Sequence, residues 1–301
     1  MKYSLTLFFI VFFNFTIFCQ TSLEYKLEKD AVFIIKQDAK QVITQELEGA
    51  SHELTNTING ILEFRVLAER DSTYDIALTF KDLNLLMTSS IQGELMNVKA
   101  KEVNKDNMQS QIFNSLLNRP VQMLLAKNGD ILEVNGGDSL VVKMTEASGL
   151  EDEFSLNMMK KSLEKEFGSE ALSNSYKQMT FIYPSKKVNI GDSWQNEYTG
   201  KLNASNIWTL EALSQNNANI SGTAEVTMDV IEPATTMKLS GTQNTQITTD
   251  VSSGFIQKMT VEGLSKGAST MTQMGDQEIP TTITSSITYE LVNELNKPIN
   301  N

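Results

Sequence analysis

Along most of the chain, apolar residues recur at every second position. Tyr74, Ile76, Leu78 and Phe80 alternate with Asp75, Ala77, Thr79 and Lys81, the period of a strand with one face on a core and the other in water. Leu23, Tyr25 and Leu27 keep the same rhythm and predict an opening strand. Phe64, Val66 and Ala68 run into Glu69, Arg70, Asp71 and Ser72, a polar cluster that predicts the turn before the Tyr74 strand. Beyond Pro184 the rhythm returns in Ala224, Val226, Met228 and Val230, and again in Ile283, Ile287, Tyr289 and Leu291, now among many Thr, Ser and Asn residues. Strands with one wet, Thr-rich face predict an antiparallel meander. The turn spacing allows about ten to twelve of them.

The middle of the chain changes period. Met108, Ile112 and Leu116 are spaced by four, with Asp106 as a predicted N-cap and Pro120 as the stop. Asn128-Gly129 between Val121–Lys127 and Ile131–Val134 predicts a tight hairpin. Leu156, Met159, Leu163 and Phe167 predict a second helix closed by Gly168, and Ser169–Met179 a third. The fold class expected is therefore α+β, mainly β: a curved antiparallel sheet, open and half-barrel-like, with central amphipathic helices packed on one face. Strands are expected over 22–100 and 187–296, and helices over 104–182, in one domain spanning 21–301. Gly129, Ile131 and Val134 are spaced like Gly254, Ile256 and Met259, a pattern that any hairpin gives and that a duplication would also give.

The N-terminus is different in kind. Lys2 precedes an apolar stretch from Leu5 to Phe18, followed by Cys19, Gln20, Thr21 and Ser22. This predicts a secretory signal peptide over 1–20, too short and too polar at its end to span a bilayer. Cleavage after Gln20 is the preferred reading. Lipidation at Cys19 is the alternative, which the bulky Phe18 before it disfavours. Without the leader no cysteine remains, so the fold must rest on an ordinary core, and a chain of this length buries about three quarters of its unfolded surface.

Charge and composition narrow the chemistry. With 25 basic and 37 acidic side chains the net charge is −12, which offers no basic face for nucleic acid. A single histidine, His52, supplies no multi-His metal site, and no cofactor motif appears. His52 beside Glu53 reads as a solvated or capping residue. Gly137-Asp138-Ser139-Leu140 resembles the nucleophile block of the GDSL esterases, but the Asp-x-x-His block and the alternating strands and helices of that family are missing. Asp138 then serves as a turn residue or helix cap. Glu151-Asp152-Glu153 reads as a solvated helix approach, its carboxylates favoured by the helix dipole. Paired carboxylates of a hydrolase have no nominee among the many acids.

Gly191-Asp192-Ser193-Trp194, preceded by Pro184, Val188 and Ile190, carries the most specific resemblance. With the signal peptide, the Leu23-x-Tyr25 start and the Asn128-Gly129 hairpin, it is similar to a domain-of-unknown-function family of uncharacterised secreted Bacteroidota proteins, and cleavage after Gln20 resembles the Gln-ending signal peptides common in Bacteroidota. That resemblance implies export to the periplasm or beyond and no known reaction. Physically, Gly191 and Asp192 are expected to form a turn and Trp194 to anchor the next strand. The methionines, Met158-Met159, Met271 and Met274 among them, fill cores in general. Their sharper reading is a pliable apolar cavity between sheet and helices. The architecture resembles, at a distance, the half-barrel of LolA- and LppX-type periplasmic lipoprotein carriers. The expected function is thus a non-enzymatic envelope protein binding a lipid or other apolar ligand. The alternative is a structural or protein-interaction role in the cell envelope, and a carboxylate-based hydrolase comes third.

Overall fold

The structure is a computed structural model that describes residues 20–47, 49–104, 106–200, 202–232, 235–272 and 277–292. The leader through Cys19, Met274 and the chain beyond 292 lie outside the described residues.

The strands are β1 (Val32–Leu47), β2 (Ala50–Glu69), β3 (Thr73–Ser89), β4 (Gly93–Lys99), β5 (Pro120–Ala126), β6 (Ile131–Asn135), β7 (Ser193–Tyr198), β8 (Asn203–Leu213), β9 (Asn217–Glu232), β10 (Thr235–Asp250), β11 (Ile256–Met271) and β12 (Ile279–Leu291). They form one 12-stranded antiparallel sheet in the order β6-β5-β3-β2-β1-β12-β11-β10-β9-β8-β7, with β4 beside the distal part of β3. The helices α1 (Met108–Leu116), α2 (Gly137–Glu146), α3 (Glu153–Phe167) and α4 (Ser169–Thr180) all fall between β4 and β7. The predicted class, an open curved antiparallel sheet with a central group of helices, is the observed one.

Local chemistry explains the boundaries. Asn107, not Asp106, caps α1, its side chain accepting from the Ser110 backbone N–H at 3.0 Å. Asp106 sits one residue too early for that bond. Asp152 caps α3 in the same way at 2.8 Å from Ser155 N, and the backbone N–H it accepts holds its carboxyl below the ordinary value. Gly168 closes α3 as expected, in an extended rather than left-handed conformation, because it also opens α4. Helix α2 has no counterpart in the sequence reading. It contains Asp138 in its first turn, and its buried residues Leu140, Val141 and Met144 form too short an apolar stripe to stand out.

The opening strand is also corrected. Residues 22–28 belong to no named strand, although Leu23, Tyr25 and Leu27 are all buried. This segment is a strap. Thr21 bridges Val188, Tyr25 N–H donates to Lys127 O at 2.8 Å, and Lys26 N–H donates to Ser253 O at 2.7 Å. It ties the β5–β6 turn to the β10–β11 turn, and the alternation reports burial against both rather than a ladder. Two turn glycines hold Tyr25 between them. A Cβ on Gly129 (φ +91°) would overlap the Thr180 carbonyl and lie 2.8 Å from the Tyr25 ring. One on Gly254 (φ +70°) would lie 2.9 Å from Tyr25 Cα.

The sheet rolls. Phe255, in the β10–β11 turn, stacks on Phe33 of β1 at 4.0 Å and meets Phe64 of β2 edge-on at 5.8 Å. Tyr198 of β7 lies near enough to Tyr289 of β12 to help raise the Tyr289 pKa, although four strands separate them along the sheet. The free edges β6 and β7 converge on the end of α4 and the segment after it. Thr180 Oγ1 donates to Gly129 O at 2.7 Å, Trp194 Nε1 to Ile182 O at 3.0 Å, and Asn196 Nδ2 to Phe181 O. The connection after α4 thereby bridges the two edges that a closed barrel would pair, and it shields them.

Candidate functional site

One continuous core fills the proximal half of the roll, where strap, helices and the turns near Tyr25 and Phe255 meet. The apolar void lined by Leu27, Phe33, Phe64, Met123 and Phe255 measures only about 10 Å³, at most one water's space. The pliable cavity expected between sheet and helices is therefore closed there by packed side chains. The larger clefts are open to solvent and edged by polar and charged side chains. One of about 670 Å³ is lined by Lys161, Glu164, Lys165, Glu166 and Glu170, and another of about 450 Å³ runs past Lys186, Trp194 and Asn196.

The Gly191–Trp194 segment lies at the rim of that second cleft. Gly191 is left-handed (φ +89°), and Asp192 Oδ2 accepts from Asn189 N at 2.7 Å and from Asn189 Nδ2 at 3.0 Å, closing the turn. Ser193 exchanges a hydroxyl bond with Thr209 at 2.8 Å. Trp194 is buried and pairs across the ladder with Trp208, which is more deeply buried still. The Trp208 ring lies over Gly222, where a Cβ would overlap it. Its Nε1 donates to Asn196 Oδ1 at 2.9 Å. Gln20 is exposed at the start of the described chain, away from these residues in sequence. His52 is the third residue of β2, on the inner face opposite Gln45 and half-buried rather than fully solvated.

The distal half of the roll carries the feature that motif reading missed. Cross-strand partners share a face, so the registers fix which side chains look inward. Met87 pairs Met96, Met228 pairs Leu239, Met237 pairs Val230, and Met271 pairs Thr235. All five methionines fall on the inner face, all are half-buried, and none belongs to the core cluster. Leu239, Ile279 and Ile283 are buried among the same inward rows. The sequence signal was the methionine count combined with strand parity, which can be read only once register is known.

Curvature here is set by glycine. A Cβ on Gly241 would lie 2.6 Å from Ser265 Cα, one on Gly263 2.5 Å from Ser285 Oγ, and one on Gly267 3.0 Å from Leu239 Cα. Between β10 and β11 the backbones approach more closely than a side chain at Gly241 or Gly267 would allow.

Three of the buried phenols are Tyr176 of α4 and Tyr289 of β12, in the main core, and Tyr198 of β7, in a small neighbouring cluster. Burial, with the Tyr198 phenol adding to it, pushes Tyr289 up to about 12, and burial pushes Tyr198 up to about 12. Burial raises Tyr176 as well, with Tyr289 adding to it. All three stay neutral hydroxyls at any physiological pH.

The fold and its inner face define a class: a rolled antiparallel sheet whose proximal half is filled by helices and whose distal half keeps a half-covered apolar wall. The chain belongs to DUF6263, a family of unknown function, which its residues 71–256 match. Among curated proteins none matches this sequence. Among solved structures it is similar to lipovitellin, in a structure of lipid–protein interactions, at 11% identity and a TM-score of 0.49, covering 92% of this chain and 26% of that one. The chain thus spans about a quarter of the lipovitellin chain. It is also similar to an outer membrane channel from Pseudomonas putida F1, at 8% identity and a TM-score of 0.25, covering 89% of this chain and 97% of that one. At these scores the likenesses say nothing of what this chain binds. No helix among the described residues is long and apolar enough to cross a membrane, and no group of three or more His, Cys, Asp and Glu among them is placed to hold a metal.

Proposed function

We propose that this is an exported binding protein of the cell envelope, cleaved after Gln20, which holds an acyl chain or similar apolar ligand along the distal inner face of its sheet. One observation carries the reading: Met87, Met96, Met228, Met237 and Met271 share that face and remain half-covered where no core claims them. Thioether side chains are flexible and polarisable, and half-covered methionines mark surfaces that adapt to apolar partners. The filled proximal core supplies the rigid floor against which such a wall can open. Native mass spectrometry of gently purified protein tests this. A co-purifying lipid that is lost in Met237→Glu, but kept in a variant of the opposite face such as Thr242→Glu, is the expected result. Protein that takes up no lipid when offered an excess would overturn the reading.

A further inference from the structure

The inner wall of the distal half is almost without charge. Over the inward positions of 39–47, 50–58, 85–89, 224–232, 235–243, 263–271 and 279–287, the ionisable side chains are His52 and Glu232. Glu232 is already engaged by Lys165 of α3 at 2.6 Å. The outward positions of the same strands carry Lys40, Glu53, Lys238, Glu262, Lys266 and Asp229. A composition that is 21% charged has placed its charge on one side of this wall.

Polar groups inside are instead neutral and mostly spoken for. Gln45 Nε2 donates to Ser269 Oγ at 2.8 Å, Ser269 and Thr281 share a hydroxyl bond at 2.8 Å, and Thr281 Oγ1 donates to Ile279 O at 2.9 Å. Asn56 is the exception. Its Nδ2 donates to Gln41 Oε1 at 3.3 Å, while its Oδ1 is buried and accepts from no group. Asn56 pairs Met87 across the β2–β3 ladder, so this acceptor lies beside one of the inward methionines. An acceptor left without a donor out of water costs free energy that a ligand N–H or O–H would recover.

Resting on the binding role proposed above, we infer the ligand class: a neutral, hydroxyl-bearing acyl lipid of the acylglycerol type, its hydroxyl donating to Asn56 Oδ1. A carboxylate or phosphate at the same depth finds no lysine or arginine among the inward positions, and it brings to Asn56 another acceptor in place of a donor.

The test compares two probes that differ at one group, 1,2-dioctanoylglycerol and 1,2-dioctanoyl phosphatidic acid, competed for the full mature protein and read by native mass spectrometry. Wild type is expected to prefer the glycerol about tenfold, and Asn56→Leu to lose that preference while Thr57→Val, on the opposite face, keeps it. The ratio is read within each variant, so partial loss of folded protein does not imitate the effect. Equal binding, or a preference for phosphatidic acid, overturns the neutral-ligand inference and leaves the binding role standing. Failure of both probes to bind overturns the binding role and this inference with it.

Discussion

Removing the Trp208 side chain tests whether the β7–β8 edge is anchored as the structure describes. Trp208 is 1% exposed. Emptying a large aromatic site in a core costs about 3–5 kcal/mol. Trp208→Ala also strips the donor from Asn196 Oδ1, which now accepts at 2.9 Å, and a buried acceptor left unpaired adds about 1–3 kcal/mol. Gly222 beneath the ring has no side chain with which to refill the space. The expected loss is therefore about 4–8 kcal/mol, a large share of a domain's whole stability. Trp208→Phe keeps one six-membered ring but removes the N–H together with the rest of the indole, so it should cost clearly less than Ala yet at least the about 1–3 kcal/mol of the orphaned acceptor. Urea unfolding followed by far-UV circular dichroism measures both, with unchanged slopes required for the comparison. Trp208→Ala within about 0.5 kcal/mol of wild type would refute the anchoring. Phe costing as much as Ala would instead refute the split between packing and hydrogen bond.

Four more outcomes are expected. Trp194→Ala should cost less than Trp208→Ala, since Trp194 keeps 7% exposure and lies on the edge strand; the same urea melts rank the two. Gly129→Ala should destabilise more than Gly191→Ala. Both are left-handed, a strain of about 1–3 kcal/mol, but only Gly129 has backbone where the Cβ would go, and thermal melts compare them directly. Asn107→Ala should lower stability by about 1 kcal/mol while Asp106→Ala stays near wild type, as chemical denaturation can show. Stability should also fall in alkali. Tyr198 and Tyr289 titrate near 12 in the folded chain against about 10 unfolded, so the unfolded chain loses protons first. The stability from keeping them neutral is whole below pH 10 and lost as pH rises from there through 12, which urea midpoints taken across that range would trace.

What could be read from the sequence follows the range of the forces involved. The Tyr74–Phe80 alternation and the Asn128-Gly129 hairpin are local, and each appears where predicted as part of β3 or of the β5–β6 pair. The N-cap at Asn107 was missed by one residue, because Asp and Asn are both good caps and only backbone geometry chooses between them. Leu23, Tyr25 and Leu27 alternate as a strand does, yet their partners are turns at Lys127 and Ser253, which no local pattern announces. The distal wall was least legible. Its methionines come from β3, β4, β9, β10 and β11, and whether two strands turn the same parity inward depends on bulges such as those at Ile61/Leu62 and Met87/Thr88. One slipped residue would send the whole row outward.

The same parity divides each long strand between packed core and half-covered wall within one sheet. β9 buries Ala218, Ile220, Ala224 and Val226 in its first half, then leaves Met228 and Val230 half-covered on the same face. β2 runs the other way along the roll and shows the mirror order, from half-covered Leu54 and Ile58 to buried Leu62, Phe64 and Val66. Each long strand is thus core at one end and wall at the other. The hydrogen-bonded ladder is continuous between them, so the proximal core holds the distal wall in register without needing to fill it. Strands of ordinary length, about five or six residues, would end where the core ends. The extra length of β1, β2 and β9 to β11, sixteen residues or more in each, builds the methionine-bearing face and little of the core. That added length contributes little to stability, and it is the part of the sheet on which the binding role proposed above rests.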